Sequence, residues 1–195
     1  MNRVLPAGIL IVALLLFGGC VSHPSYPRTW PAMATTAEGT CPDLSGVFSD
    51  AGERAPSQSA AYTPSLSRVL FARRQALKSA TRVEIHRQNS SVWRVSAMSD
   101  GLTLATADVT AQGPCLEGEA KITDPHEEGG INREGVVGFQ WSTLYFSRAS
   151  DRSLVVRYAS GGVGLMLLIP AAGSQWVWYR FRDEDLGTGT TSARE

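Results

Sequence analysis

One short stretch of the chain brings together side chains that could hold a cation or move a proton. Asp124, His126, Glu127 and Glu128 lie close together in a segment that is acidic and rich in glycine. Carboxylate oxygens and an imidazole nitrogen can bind a divalent cation. Such a cluster is also what a solvated surface turn carries, and we prefer that interpretation. The sequence therefore predicts no metal site and no cofactor.

The motifs of the common hydrolases are missing from the sequence. Ser49 lies in Phe-Ser-Asp, without the flanking glycines of a nucleophile elbow. His126 is followed by a glutamate, but Gly130 stands where a zinc protease would have its second histidine. The glycine-rich segment 161–164 lacks the lysine of a phosphate-binding loop. We expect a protein that is not an enzyme, with a hydrolase that uses His126 as the alternative.

The chemistry that the sequence indicates most directly lies at Cys20. Residues 1–19 contain one early cation, Arg3, then an apolar run over residues 7–17 and two glycines. This is the order of regions in a secretory signal peptide. The apolar run is shorter than the ~20 residues with which a helix crosses a bilayer. We therefore expect cleavage before Cys20.

The residues Phe17-Gly18-Gly19-Cys20 resemble the lipobox of bacterial lipoproteins, with Phe17 where Leu is commoner. The resemblance implies that Cys20 receives a diacylglyceryl group on its sulfur, becomes residue one of the mature chain and is then N-acylated. Several acyl chains on one residue anchor a protein firmly, at ~0.8 kcal/mol per buried methylene. Val21 replaces the Asp that would retain such a protein at the inner membrane, which implies an outer-membrane location facing the periplasm. A plain cleaved signal and an uncleaved membrane anchor are the alternatives.

The charge balance argues against a nucleic-acid partner. The chain has 18 Lys and Arg against 18 Asp and Glu, a formal net charge of zero, with no basic run. The partners that we expect are the membrane, through the lipid on Cys20, and either an apolar ligand or another envelope protein.

Cys41 and Cys115 remain once Cys20 is assigned to the lipid. An even pair of cysteines in an oxidising compartment favours a disulfide bond between them. Closing a loop of this length would contribute ~4 kcal/mol to stability. Two separately buried thiols are the alternative, and no Cys-x-x-Cys or Cys/His spacing indicates a metal.

The mature chain divides into three predicted parts. Residues 20–40 contain three prolines and form a tether, in which Tyr26 and Trp30 either dock on the domain or lipid head groups or, as we prefer, are incidental. Residues 41–182 form the folded domain. Residues 183–195 are polar and form a flexible tail.

The hydrophobic period predicts one helix followed by strands. Ser65 caps a helix over 65–79, whose apolar residues repeat at helical spacing. From residue 82 the period changes to two, with an Asp100-Gly101 hairpin turn and a turn at 160–162. The segment 163–169 is apolar on both faces, which places it at the centre of the sheet or under a cover such as the helix. The predicted strands cover 82–86, 91–97, 102–106, 116–122, 135–146, 152–159, 163–169 and 175–182.

This pattern predicts a mainly antiparallel β fold of about eight to nine strands with one N-terminal helix. Short strands in meander order favour an up-and-down barrel or a strongly curved sheet. Residues 44–48, Leu-Ser-Gly-Val-Phe, resemble the opening strand of lipocalin-like barrels, with Phe48 in place of the usual Trp.

Many aromatic residues fall on the predicted strands and could line a ligand pocket inside such a barrel. The alternative is that they fill the core and the outer face of the sheet. The candidates are Trp93, Phe139, Trp141, Tyr145, Tyr158, Trp176 and Trp178.

Two functions follow from these patterns. A binding module for an apolar small molecule or lipid predicts an enclosed cavity. An interaction module or inhibitor, acting on an envelope enzyme or assembly machine, predicts a filled core and an exposed patch, with the loop 123–134 as the leading candidate.

Overall fold

A computed structural model describes residues 20–56, 58, 63–71, 75–123, 129–133, 136–166 and 169–185. The predicted signal peptide, the acidic residues 124–128 and tail residues 186–195 lie outside the described residues.

The described chain is mainly β-structure, as the sequence predicts. It contains eleven strands, one α-helix and one 3-10 helix. The strands are β1 Cys20–Ser22, β2 Gly46–Ser49, β3 Glu53–Arg54, β4 Arg82–Arg87, β5 Val92–Ser99, β6 Leu102–Thr110, β7 Ala120–Thr123, β8 Gly129–Arg133, β9 Val136–Arg148, β10 Leu154–Met166 and β11 Ile169–Phe181. The helices are α1 Leu66–Leu70 and a 3-10 helix Gln75–Ser79.

The strands form two sheets. The larger has the order β1-β11-β10-β9-β7, with β3 also paired to β11 and β8 to β9; the smaller has the order β2-β4-β5-β6. The pairs within both sheets are antiparallel except for β1 with β11, which is parallel.

The two sheets pack on one main hydrophobic core. Phe48 and Trp93 from the smaller sheet and Phe146 and Phe181 from the larger belong to it, each 0% or 1% exposed. At about 25 cal/mol per Å² of apolar surface removed from water, such large side chains dominate the stabilisation. The core is therefore filled by side chains from both sheets.

The sheets are linked at two corners by a few backbone hydrogen bonds. At the first corner, Ser49 N donates to Arg182 O over 3.0 Å and Glu184 N donates to Val47 O over 2.8 Å. At the second, Gln112 N donates to Lys121 O over 2.7 Å. The sheets thus follow each other around the core in barrel order. Because neither corner has a continuous ladder among the described strands, the fold is a strongly curved sheet structure and not a closed barrel.

A buried carboxylate braces the first corner. The side chain of Asp183 is 0% exposed and lies 3.4 Å from Arg148 Nη2 and 3.2 Å from Arg152 Nε, and it also accepts a bond from Asp185 N. Burial lowers the pKa of the Arg148 guanidinium, and the attraction of Asp183 opposes that shift. Residues 183–185, assigned from the sequence to the tail, therefore belong to the folded body.

The α-helix α1, Leu66–Leu70, is shorter than the predicted helix 65–79. The end of the predicted range is the 3-10 helix Gln75–Ser79, and residues 72–74 between the two lie outside the described residues. The predicted cap is confirmed, since Ser65 Oγ accepts from Arg68 N. Asp50 adds to it by accepting bonds from Ser67 N at 2.6 Å and Ser65 Oγ at 2.8 Å.

The largest departure from the sequence prediction is the run of β10. The predicted turn at 160–162 is wrong, because β10 continues through it and pairs with β9 and β11 over its whole length. Gly161 lies between Trp141 of β9 and Ser174 of β11. A Cβ on Gly161 would lie 2.3 Å from Trp141 Cζ2. Glycine is required there to seat the indole of the neighbouring strand.

The predicted disulfide between Cys41 and Cys115 is present, with a sequence separation of 74 residues and Cα atoms 4.9 Å apart. It fixes the start of the folded domain to the chain between β6 and β7. We expect the double variant Cys41→Ala and Cys115→Ala to lose ~4 kcal/mol of unfolding free energy, measured by urea denaturation, because the unfolded chain regains a long loop.

Reduced wild-type protein is the matched control, since it keeps both side chains and lacks only the bond. A urea midpoint unchanged on reduction would contradict this expectation.

Candidate functional site

The three long strands β9, β10 and β11 have two faces with different surroundings. Side chains alternate along a strand, so Val156 and Tyr158 face the main core, whereas Val155 and Arg157 belong to the opposite side. We call these the core face and the outer face. The strands β10 and β11 stay paired beyond the main core, so both faces continue towards the hairpin between these two strands.

Residues 20–34, which we call the N-terminal strap, cover the outer face where it lies behind the main core. Trp30 is 8% exposed and forms a second buried cluster with Val155 and Trp178. The ring of Tyr26 meets Trp178 edge-on at 5.4 Å. Trp178 Nε1 donates to Pro24 O over 2.9 Å, which satisfies a buried donor. The strap is therefore held by apolar burial and by a hydrogen bond.

The packed strap differs from the extended tether that the sequence predicts for 20–40. An undocked segment of this length could extend ~70 Å. Instead β1 pairs with β11, with Cys20 opposite Gly173 and Ser22 opposite Gln175. The strap turns at residues 27–30, where Trp30 N donates to Pro27 O over 3.1 Å. Its aromatic side chains supply the attachment to the domain. Consequently the backbone position of Cys20 relative to the domain is set by the fold.

An arginine lies between aromatic rings beneath the strap. The guanidinium of Arg157 lies 3.9 Å from the Tyr145 ring centre and 4.5 Å from that of Trp176. The ring of His23 stacks on Trp176 at 4.3 Å with an interplanar angle of 15°. Glu119 binds Arg157 through both carboxylate oxygens. Because Glu119 neutralises its charge, Arg157 supports the rings of Trp176 and Trp178, on which His23 and Tyr26 of the strap pack, rather than offering a charge to a ligand.

The aromatic residues proposed from the sequence as one pocket are divided among separate places. Trp93 is 1% exposed and packs in the main core, together with Tyr158. Tyr145, Trp176 and Trp178 lie on the outer face around Arg157 and the strap. The remaining two lie farther along the outer face. In the described part of the chain, the seven do not line a common cavity.

Those two aromatics belong to an exposed apolar surface. Phe139 is 51%, Trp141 36%, Val163 58% and Leu165 44% exposed. All four fall on the outer face by register, beyond the strap. We call them the apolar patch. The sequence places segment 163–169 at the centre of the sheet or under a cover. The part of it that lies in β10 is at the centre of the hydrogen-bond order, and Val163 and Leu165 are nevertheless exposed.

The core face of the same strand ends carries few side chains. Gly138 pairs with Gly164, and Gly162 pairs with Gly173, so the surface of the sheet here is formed by backbone atoms. A pocket of about 400 Å³ lies at these strand ends, a size within the range of ligand sites. We call it the glycine pocket. Its lining consists of residues 138–140, 160–165 and 171–175.

Polar groups stand at the end of the glycine pocket nearest the main core. Ser160 is 6% exposed and accepts a hydrogen bond from Gln175 Nε2 over 3.4 Å. The other lining residues are glycine, alanine, serine, glutamine or apolar, and none is charged. The pocket thus offers an apolar trough with a neutral polar end.

The described residues contain no group of three or more His, Cys, Asp or Glu side chains placed to hold a metal ion. The sequence candidates Asp124, His126, Glu127 and Glu128 lie outside the described residues.

None of the helices in the described ranges has the length and apolarity needed to cross a membrane.

No family model, no curated protein and no solved structure matches this chain. The site is therefore interpreted from its own residues.

The strap offers a direct test of its docking, because Arg28 is an exposed trypsin site within it. Trp30→Ala removes the largest buried side chain of the strap. If undocking becomes easier by ~2 kcal/mol, tryptic cleavage after Arg28 should accelerate ~30-fold, since cleavage follows the population of the open form. Mass spectrometry of timed digests measures the rate.

Trp30→Phe is the matched control and should keep the cleavage rate within a few-fold of wild type. Equal rates for wild type and Trp30→Ala would show that Trp30 does not hold the strap.

Proposed function

We propose that this protein is a non-enzymatic binding module anchored by a lipid on Cys20 to the periplasmic side of the outer membrane. Its ligand is an apolar small molecule or the acyl chain of a lipid, held in the glycine pocket. The observation that carries the proposal is one of register: Cys20, the proposed acylation site, pairs with Gly173, which lines the pocket.

This adjacency supports a ligand that comes from the membrane. An acylated Cys20 would keep the neighbouring strand β11 close to the bilayer. The pocket opens on the next strands of the same sheet, so an apolar molecule would move a short distance from lipid to protein. A site that collects such a molecule benefits from this position, since free apolar ligands are scarce in water.

The lining suits a slender chain. Glycines 138, 162 and 164 let a ligand approach the backbone closely, because they carry no Cβ. Methylene groups buried there would contribute ~0.8 kcal/mol each. The Ser160 and Gln175 pair at the polar end can hydrogen-bond a neutral head group or ester oxygen.

A second candidate function is a protein-interaction module, and the apolar patch favours it. Contiguous exposed apolar surface marks interaction sites in soluble domains. In the segment 123–134, proposed from the sequence as a loop and contact region, residues 129–133 form strand β8, and residues 124–128 and 134 lie outside the described residues.

The anchor itself is testable at one residue. We expect the wild-type protein to incorporate a fatty-acid analogue during growth and to partition into the detergent phase of a Triton X-114 extract, because three acyl chains exceed what one chain achieves. Cys20→Ser should abolish the incorporation.

The double variant Cys41→Ala and Cys115→Ala is the control, since it removes the other two cysteines and should still be labelled. Absence of label in the wild type would contradict the proposed anchor.

The pocket is tested by filling it. Ala171 pairs with Gly164 and lines the glycine pocket. We expect Ala171→Leu to reduce photocrosslinking of a diazirine-bearing fatty acid to segment 160–175 by ~10-fold, equivalent to ~1.4 kcal/mol of binding free energy. Peptide mapping of protein labelled in the envelope measures it.

Thr103→Leu adds a leucine at an exposed position of β6 in the smaller sheet, outside the pocket lining, and should label like wild type. Equal labelling of both variants, or no labelling of wild type in this segment, would exclude the glycine pocket as the site.

A further inference from the structure

The apolar patch lies in a part of the chain that is free of charge. From Tyr158 to Tyr179 the sequence contains no Asp, Glu, Lys or Arg, and the same holds from 135 to 147. These stretches include the whole hairpin end of β10 and β11 and the matching end of β9. The neighbouring strand β8 brings one charged residue, Arg133, opposite Val136. Protein-binding surfaces usually have a polar, partly charged rim, and Arg is enriched in them. A neutral apolar surface with an exposed tryptophan is instead typical of contact with a bilayer interface.

The patch also lies beside the start of the mature chain. Cys20 lies in a row of residues paired across neighbouring strands. The row continues through Gly173 on β11, Gly162 on β10 and Gln140 on β9. With ~4.8 Å between strands, β10 is ~10 Å and β9 ~14 Å from Cys20 along that row. Val163 and Phe139 each adjoin this row on the side nearer the hairpin end. The acylation site and the patch thus occupy one end of one sheet.

The docked strap limits how far the domain can move away from its anchor. Because β1 is part of the larger sheet and Trp30 is buried against Trp178, no free linker separates Cys20 from the domain. A lipid on Cys20 would therefore hold the adjoining sheet end at the level of the head groups. Val21, next to Cys20, is itself 68% exposed and shares the outer face through its partner Ser174.

We infer that the apolar patch, formed by Phe139, Trp141, Val163 and Leu165, is a bilayer-docking surface that inserts into the head-group region beside the lipid on Cys20. This inference rests on the proposed acylation for the nearness of the membrane. The patch fixes the orientation of the domain, with the hairpin end of β9, β10 and β11 in the interface. The β5–β6 hairpin, in the smaller sheet, stays in water.

The absence of charge in the sequence of the patch predicts the lipid preference. Docking should proceed on zwitterionic phosphatidylcholine vesicles and should not weaken between low and high salt, because salt screens charges and not apolar burial. A surface that depended on basic residues would require anionic lipid.

The experiment places a fluorescent probe on the patch of the processed wild-type chain. With Cys41 and Cys115 in a disulfide and Cys20 acylated, an introduced cysteine is the single reactive thiol. The variants are Val163→Cys and Leu165→Cys on the patch, and Leu102→Cys as the control, each labelled with nitrobenzoxadiazole. Leu102 is 71% exposed in the β5–β6 hairpin and is as apolar as the patch residues.

We expect the probes at 163 and 165 to brighten on phosphatidylcholine vesicles and to be quenched by a spin-labelled lipid, while the probe at 102 changes with neither. Protein that floats with the vesicles but leaves 163 and 165 unquenched would overturn the inference and leave the acyl anchor standing. Protein that lacks the acyl group by mass, yet shows quenching at 163, would support the patch and contradict the anchor.

A second copy of the chain is the competing occupant of the patch. Shielding of the probe at 163 without vesicles, together with a dimer mass that rises with protein concentration, would assign the patch to self-association and overturn the inference. Equal quenching at 102 and 163 would also overturn it, because it would mean unspecific contact with lipid.

Discussion

The pairing of β10 with β9 on one side and β11 on the other, over thirteen residues, is the constraint on which the exposed features of this protein depend. In the first half of β10 the ladder is backed by the main core on one face and by the strap on the other. In the second half the backbone ladder continues, while the core face is built of glycines and the outer face carries the exposed patch. Glycine within a strand weakens it, because the unfolded chain has more freedom to lose. The second half of β10 is therefore stabilised mainly by the hydrogen-bond ladders that continue from the first half of the strand.

This arrangement explains why the pocket and the patch occur together. A sheet that projects past its core presents two faces of the same backbone. Gly138, Gly162 and Gly164 leave space for the pocket, whereas Phe139, Val163 and Leu165 both line that pocket and form the exposed apolar surface. Trp141 connects the two, because its indole packs over Gly161 on the central strand. Replacing that glycine would disturb the outer face and the strand spacing under the pocket at once.

Much of the fold could be predicted from the sequence where the signal is local. The cap at Ser65 is visible in the sequence, and so is the Asp100-Gly101 turn, whose two residues adopt φ of 50° and 80°. The disulfide followed from the number of cysteines and the expected compartment. Alternation of polar and apolar residues placed β4 and β5 within a residue or two, because each has one buried face.

The sequence reasoning failed where the deciding partner lies far away in the chain. Gly161 and Gly162 resemble a turn in isolation, and the reason for Gly161 is Trp141 on another strand. The docking of Trp30 depends on Trp178, which follows it by most of the domain. An apolar run such as 163–169 indicates that its side chains favour contact with apolar groups over contact with water. It does not indicate whether those groups belong to the protein or to another molecule. The predicted position at the centre of the sheet is confirmed for the part of this run that lies in β10, yet Val163 and Leu165 are exposed there.

That last point bears on the anchor. In a freely diffusing protein, four large apolar side chains exposed on strand stretches that contain no charged residue would favour aggregation. An anchor at Cys20 would hold the patch at the membrane and so prevent such aggregation. Strand β1 places Cys20 in the same sheet as the patch, and the docked strap keeps it close to the domain. The exposed patch and the lipobox-like sequence were found independently, one in the fold and one in the leader. Each makes physical sense of the other if the water-avoiding end of the sheet belongs at the membrane surface.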